Sequence, residues 1–218
     1  MGGKHARFSP SAAGRRLECS PSLVLEEQFQ DEESEYAAEG SAGHALAEHL
    51  IKKHLKQRSK RPVSAYYTDE MMEAVDEYVS FVTSEIEEAK RICNDPVFSV
   101  EQRVDASDYV DECFGTADMV IVTDKVAHII DLKLGKGVPV YAEQNPQLMI
   151  YGLGILCMAE LLYDVETVRL TIFQPRLNNS STWDISPNEL KSWGEEVLKP
   201  RGAMALMGAG EFKAGSWC

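Results

Sequence analysis

Hydrophobic and polar residues follow two kinds of spacing along this chain, one typical of helices and one typical of strands. Apolar side chains recur every three or four positions over residues 68–89, which predicts a long amphipathic helix with a core stripe. Two further helices are predicted upstream, one from Ser9 as N-cap to about residue 25 and one over residues 41–56. We therefore expect residues 8–95 to form a helical N-terminal part.

Residues 96–218 mix strand-like and helical runs. In order they predict a strand at 98–104, strands at 119–122 and 127–133 joined by a hairpin turn at 123–125, a helix at 143–162, strands at 168–173 and 181–185, and a helix from 187 to about 207. This order predicts a single domain over residues 1–218. Its class is α/β (α+β), with a central mixed sheet flanked by helices and an N-terminal helical region.

Composition narrows the class of protein. A chain of 218 residues that is 44% hydrophobic can bury a sizeable core. No apolar run approaches the length that spans a bilayer, and the first residues lack a signal-peptide core, so we expect a soluble, cytoplasmic protein with no membrane partner. The net charge of -13 argues against a nonspecific nucleic-acid coat protein, whose affinity comes from neutralising phosphates.

The charge is unevenly distributed. Residues 26–39 carry seven acids and no lysine or arginine, whereas residues 52–61 carry six bases and no acid. The basic run has two interpretations: a solvated helix end with its loop, or a local track for phosphate groups.

The candidate chemistry is concentrated around two aspartates. Asp118 precedes an apolar strand, and Asp131-Leu132-Lys133 ends the next one. Side chains two apart on a strand share a face, so Asp131 and Lys133 point the same way while Leu132 points into the core. Two carboxylates suit Mg²⁺ or Mn²⁺ and leave coordination positions for a water and a phosphate oxygen. We expect Lys133 to stabilise the transition state of phosphodiester hydrolysis or to help deprotonate the water.

Gln147 and Tyr151 are four residues apart in a predicted helix, so they share a face and are candidate donors to a nucleic-acid backbone. Each candidate also has a structural interpretation. Gln147 and Tyr151 would then cap and pack their helix, Asp118 would be a turn residue, and Asp131 would belong to a solvated strand end.

Four motifs stand in a fixed order along the chain: Gly40-Ser41-Ala42-Gly43-His44, Gly115-Thr116-Ala117-Asp118, Asp131-Leu132-Lys133 and Gln147-Leu148-Met149-Ile150-Tyr151. Together they resemble the PD-(D/E)XK nuclease superfamily, and within it the RecB-type exonuclease branch that includes phage recombination exonucleases. The resemblance extends over roughly residues 8–218.

The resemblance implies a restriction-endonuclease-like core and a phage-type or prophage-type DNA exonuclease that uses Mg²⁺ or Mn²⁺. DNA is the implied substrate, and phage recombination proteins are implied partners. His44, Asp118 and Asp131 would bind the metal, with the carbonyl of Leu132 as a further ligand. A histidine on a helix is otherwise a common surface or core residue.

Two rival functions remain at this point. One is a catalytically silent nucleic-acid-binding or interaction module with the same fold. The other is a hydrolase of small phosphoesters, for which we expect a closed apolar pocket. Glu101, in the predicted strand at 98–104, has two interpretations, an accessory acid of the site or an exposed strand residue, and the pattern favours the exposed residue.

The five cysteines are odd in number and contain no C-x-x-C pair, which does not indicate a disulfide framework. Several RecB-like nucleases hold a [4Fe-4S] cluster with one cysteine before the core and three after it. By that resemblance Cys19 is the first ligand and Cys218 begins the last group. The chain stops there, so we expect a cluster only in a longer form of the protein.

Overall fold

The computed structural model describes residues 6–29, 34–160 and 162–217. Its centre is a five-stranded mixed sheet in the order β1-β2-β3-β4-β5. β3 and β4 are parallel and the other neighbouring pairs are antiparallel. The strands are β1 Val97–Asp105, β2 Phe114–Val122, β3 Val126–Leu132, β4 Thr167–Gln174 and β5 Asn179–Ile185.

Helices cover both faces of the sheet. They are α1 Ala13–Glu18, α2 Ser22–Glu26, α3 Glu35–His54, α4 Asp69–Ile92, α5 Pro146–Ala159, α6 Pro187–Trp193 and α7 Lys199–Leu206. Parallel strands need a crossover connection, and α5 supplies it between β3 and β4. None of the helices among the described residues combines the length and the apolar character that crossing a membrane requires.

Two apolar clusters enclose the sheet. One lies against α5 and includes Val120 and Ile129, while the other lies against α3 and α4 and includes Met119 and Ile130. Adjacent residues of one strand therefore enter different clusters, as the two-residue period of a strand requires. The α/β (α+β) class, with a central mixed sheet flanked by helices, is confirmed.

Local signals explain where the best-predicted elements begin. Thr68 caps α4, because its hydroxyl accepts a hydrogen bond from Met71 N at 3.2 Å. The β2–β3 hairpin closes at Thr123, whose N–H donates to Val126 O at 2.9 Å. Both the long amphipathic helix and the hairpin are thus confirmed.

Three helix predictions need correction. The helix predicted over residues 9–25 is a short 3-10 turn followed by α1 and α2, which are separated because Pro21 lacks the N–H that would continue α1. α3 begins at Glu35 rather than at residue 41, because Ser34 caps it by accepting from Ala37 N at 3.2 Å. The last helix is interrupted by one π turn, Gly194–Leu198, between α6 and α7.

Candidate active site

Three carboxylates occupy matching positions on β1, β2 and β3. Glu101 stands opposite Asp118, between the registered pairs on either side of it, and Asp118 stands opposite Asp131, one step beyond the last registered pair of β2 and β3. Neighbouring strands are only about 4.8 Å apart, and like charges placed opposite each other destabilise a sheet. A row of three acids therefore favours a bound cation.

His44 completes a candidate metal group. Its Nδ1 lies 3.0 Å from Asp118 Oδ1, and ligand atoms of His44, Glu101 and Asp118 all lie within 4.8 Å of one another. Imidazole nitrogen and carboxylate oxygen together suit a divalent cation of the hard or borderline kind. The donors of this group therefore fit a divalent metal ion.

α3 is held close to the sheet, and this brings His44 to the acids. Gly43 faces Leu134 so closely that a Cβ at this position would overlap the leucine side chain. Arg176 adds a polar clamp, because its guanidinium donates to Leu134 O at 2.9 Å and to Glu39 of α3 at 2.7 Å. No motif in the sequence indicated this positioning role of Arg176.

Glu101 corrects one expectation, because its interpretation as an exposed strand residue is wrong. The side chain is half-buried and lies beside His44 and Asp118. Burial and the charge of Asp118 raise the pKa of Glu101 to about 7. Its φ of 53° departs from an extended strand, so alternation along β1 could not place its side chain. Such unusual backbone conformations are concentrated at functional sites.

Asp131 is the most deeply buried of the three acids, with 3% of its surface exposed. Burial raises its pKa, although the charge of Lys133 acts in the opposite direction. Lys133 Nζ lies 2.9 Å from Asp131 Oδ2, but the two atoms are not aligned as a hydrogen bond. Asp131 Oδ2 has no aligned hydrogen-bond donor among the described residues, which leaves an oxygen suited to a cation.

Gln147 joins the other groups around Asp131. Its Nε2 donates to Asp131 Oδ1 at 3.0 Å and to the Tyr151 hydroxyl at 3.3 Å, while its Oε1 accepts from Lys133 Nζ at 2.8 Å. Tyr151 is only 4% exposed, and burial raises its pKa. The helix face predicted for Gln147 and Tyr151 therefore points toward Asp131 and Lys133.

Leu132 connects the two aspartates through its backbone. Its N–H donates to Asp118 Oδ2 at 2.7 Å, and its side chain is fully buried. Asp131 immediately precedes it, so the position of each acid depends on the same end of β3. The predicted role of the Leu132 carbonyl as a ligand stays a prediction.

The excess of negative charge at the site raises the pKa of His44. Burial lowers its pKa, but the hydrogen bond to Asp118 and the charges of Asp118 and Asp131 outweigh burial, so the net pKa is raised. The side chain is 32% exposed and opens, with Glu101, into a surface depression of about 490 Å³. The candidate site is therefore open to solvent on the side of His44 and Glu101.

Of the two cysteines predicted for an iron-sulphur cluster, Cys19 is buried and its Sγ accepts from Lys213 N at 3.3 Å. Cys218 lies outside the described residues. The iron-sulphur cluster stays a prediction.

A family model described as "Protein of unknown function (DUF2800)" matches residues 5–218. The chain belongs to this family. Among solved structures, a "putative exonuclease" from Eubacterium rectale is similar to this DUF2800 protein with a TM-score of 0.51 and 13% identity over 97% of this chain and 85% of that one. This likeness supports the fold.

A second solved structure, SSO0001, matches the DUF2800 chain with a TM-score of 0.31 and 14% identity over 78% of this chain and 87% of that one.

Proposed function

We propose that this DUF2800 protein is a metal-dependent DNA nuclease of the PD-(D/E)XK type. The observation that carries the proposal is the convergence of Asp118, Asp131 and Lys133, with His44 in contact with Asp118. Gln147 also contacts Asp131 and Lys133, so four sequence motifs, one at residues 40–44 and three within residues 115–151, supply side chains to one place. A structural salt-bridge cluster would not need acids in excess over bases at that place.

The proposed metal ligands are His44, Asp118, Asp131 and the carbonyl of Leu132, with Glu101 as an additional acid. When bound, Mg²⁺ or Mn²⁺ supplies an activated water and neutralises charge on the phosphate. The protein residues orient the reactants: the Leu132 N–H holds Asp118 Oδ2, and Gln147 holds Asp131 Oδ1. The second oxygen of each acid faces another group of the site: Asp118 Oδ1 lies 3.0 Å from His44 Nδ1, and Asp131 Oδ2 lies 2.9 Å from Lys133 Nζ.

Lys133 is proposed to stabilise the negative charge that develops on the phosphate in the transition state. Its ammonium lies between Asp131 Oδ2 and Gln147 Oε1, at 2.9 and 2.8 Å. A cation fixed in this way needs little rearrangement to stabilise charge that builds on a phosphate oxygen. Its neighbours therefore preorganise it.

Two roles are proposed for Gln147 and Tyr151. The sequence interpretation assigns both to the DNA backbone, whereas the contacts of Gln147 with Asp131 and Lys133 favour a positioning role. The two roles differ in whether DNA affinity or turnover changes on substitution.

DNA as the substrate, and exonuclease action with phage recombination proteins as partners, rest on the resemblance to RecB-type enzymes. The open depression beside His44 and Glu101 supports a polymer substrate over a small phosphoester, for which a closed apolar pocket is expected. The fold likeness to the Eubacterium rectale protein is compatible with this choice.

The decisive experiment is cleavage of end-labelled linear DNA and closed circular DNA with Mg²⁺, Mn²⁺ or EDTA. We expect metal-dependent loss of the linear substrate and protection of the circular one if the enzyme is an exonuclease. Binding of DNA without cleavage under every metal condition would contradict the nuclease proposal and favour a catalytically silent binding module.

A further inference from the structure

Among the described residues of this acidic protein, the lysines and arginines without an ion pair are concentrated in one short segment. Although 35 acids face 22 bases, five bases between residues 53 and 61 have no ion pair with any described residue. Nearly all other described lysines and arginines form ion pairs, and the exceptions, Arg16 and Arg103, lie over the rings of Phe8 and Phe114. The unpaired bases are Lys53, Lys56, Arg58, Lys60 and Arg61.

These five residues, the basic segment, are all exposed. The neighbouring bases of the same run behave differently: Lys52 pairs with Glu48, and His54 lies 3.1 Å from Glu87. In a chain with surplus acid, a solvated loop would still be expected to place some of its bases near a carboxylate. Unpaired positive charge concentrated in one segment favours an anionic partner.

The basic segment is held against the helix that carries His44. His49 Nδ1 lies 2.9 Å from Ser59 Oγ, so the middle of the segment packs back along α3. Farther on, the Tyr67 hydroxyl donates to Ala42 O at 3.2 Å. The charge of Arg61 reaches this hydroxyl and acts on its pKa, which burial raises. The basic segment therefore turns back from the end of α3 to the level of His49, and the chain that follows it continues to the level of Ala42.

The spacing suits one nucleic-acid strand. At about 1.5 Å per helical residue, the nine steps from His44 to Lys53 cover about 14 Å. A strand of duplex DNA advances about 3.4 Å per nucleotide, so this length corresponds to about four nucleotides. A strand with its scissile phosphate at His44 could cross α3 and reach several of the five bases.

We propose that the basic segment binds the phosphate backbone of the DNA strand within about four nucleotides of the scissile phosphate. This inference rests on the proposed nuclease function and adds a substrate-binding surface to it. Charge on this surface sets affinity and carries no sequence information, because it contacts phosphates and not base edges. A second copy of this chain, bound through its acidic residues 26–39, is the competing occupant.

The test uses two charge-matched variants. In the segment variant, all five bases become glutamine: Lys53→Gln, Lys56→Gln, Arg58→Gln, Lys60→Gln and Arg61→Gln. The control variant loses five ion-paired surface bases far along the chain: Arg91→Gln, Lys125→Gln, Lys191→Gln, Lys199→Gln and Lys213→Gln. Both change the net charge equally, so a difference between them reports position and not total charge.

Fluorescence anisotropy with a labelled 20-nucleotide duplex and a labelled single strand, in Ca²⁺ and across a salt series, measures affinity and its salt dependence. We expect the segment variant to bind at least about 10-fold more weakly and to lose about two or more units of the slope of log Kd against log salt. The control should stay within about 3-fold of the parent. Equal slopes and affinities in the two variants would overturn the proposal.

Two further measurements separate this proposal from the nuclease itself. Hydrolysis of bis(p-nitrophenyl) phosphate with Mn²⁺ needs the site but not the basic segment, so the segment variant should retain it. If the parent hydrolyses neither this ester nor DNA, the nuclease proposal fails, whereas the anisotropy result still decides the segment. A dimer in the parent that dissociates only in the segment variant, seen by analytical ultracentrifugation, would overturn DNA as the occupant.

Discussion

Two histidines of this protein lie in polar clusters of opposite character. His128 of β3 is 6% exposed, with Nε2 2.8 Å from Thr171 Oγ1 and Nδ1 3.4 Å from Glu85 Oε2. Burial lowers the pKa of His128 although Glu85 acts the other way, whereas the acids around His44 raise its pKa in spite of burial. Burial therefore dominates the pKa of His128, whereas the neighbouring acids dominate the pKa of His44.

The charges around His128 are closer to balance, because Glu85 and Asp184 face Arg169. Arg169 and Asp184 form a two-pronged ion pair with both contacts at 2.8 Å, and Thr171 is 2.9 Å from Thr182. Around His44, three carboxylates face one lysine. Both clusters contain histidine, carboxylate and a base, so residue types do not distinguish them. The larger excess of acid around His44 does, and it predicts that the His44 cluster supports activity and the His128 cluster supports stability.

The sharpest test of this comparison exchanges acid for amide in each cluster. Asp118→Asn and Asp131→Asn should lower metal-dependent DNA cleavage by at least about 10²-fold, because each removes a charge that holds the metal. Asp184→Asn should leave cleavage per folded molecule unchanged. Gel assays at matched protein concentration measure this, and full activity in Asp131→Asn would remove Asp131 from the site.

The second test compares the histidines. His128→Ala should lower the free energy of unfolding by about 1–3 kcal/mol, because it leaves buried partners unsatisfied, with Mn²⁺ affinity unchanged. His44→Ala should show the reverse pattern: weaker Mn²⁺ binding, a smaller preference for Mn²⁺ over Mg²⁺, and a small change in stability. Urea unfolding and calorimetry decide, and equal Mn²⁺ affinity in the parent and His44→Ala would exclude His44 as a ligand.

A smaller effect separates the two proposed roles of Gln147 and Tyr151. If they bind the DNA backbone, Gln147→Ala and Tyr151→Phe should weaken DNA binding in Ca²⁺ by about 0.5–1.5 kcal/mol and leave Mn²⁺ affinity intact. If Gln147 positions Asp131 and Lys133, turnover should fall with normal DNA affinity. A lower melting temperature with normal affinity and normal turnover would return both residues to a packing role.

The smallest effect is on the pH dependence of stability without metal. The folded-state pKa of Glu101 is about 7, above its unfolded value near 4.5, so the folded state binds this proton more tightly. Stability should therefore fall as pH rises from about 4.5 to 7, and the raised pKa of His44 acts in the same direction. In EDTA at pH 8, Glu101→Gln should exceed the parent by on the order of 1 kcal/mol, an advantage that shrinks at pH 5. A pH-independent difference would contradict the assigned pKa.

The fold was largely predictable because its main signals are local. The apolar period of α4, the Thr68 cap and the short β2–β3 turn each act over a few residues. The break between α1 and α2 was missed, although Pro21 offered a signal, because the surrounding apolar residues continue a helical pattern.

The site was predictable only in part, for a different reason. The proximity of Asp131 and Lys133 follows from the two-residue period of β3. The place of Glu101 depends on a left-handed backbone conformation, and the contacts of Gln147 depend on how α5 is seated on the sheet. Neither is encoded in local spacing, because both result from tertiary packing.

Leu132 belongs at once to the core and, through its N–H bond to Asp118, to the arrangement of the acids. Its side chain packs in the same apolar cluster as Met71 and Tyr78 of α4. This shared residue couples mutations in the α4 core to mutations that affect the acids of the site, although the two kinds are usually independent. Replacements in the α4 core that displace Leu132 would also displace its N–H from Asp118, so we expect substitutions at Met71 or Tyr78 and at Leu132 to be non-additive in their effect on the site.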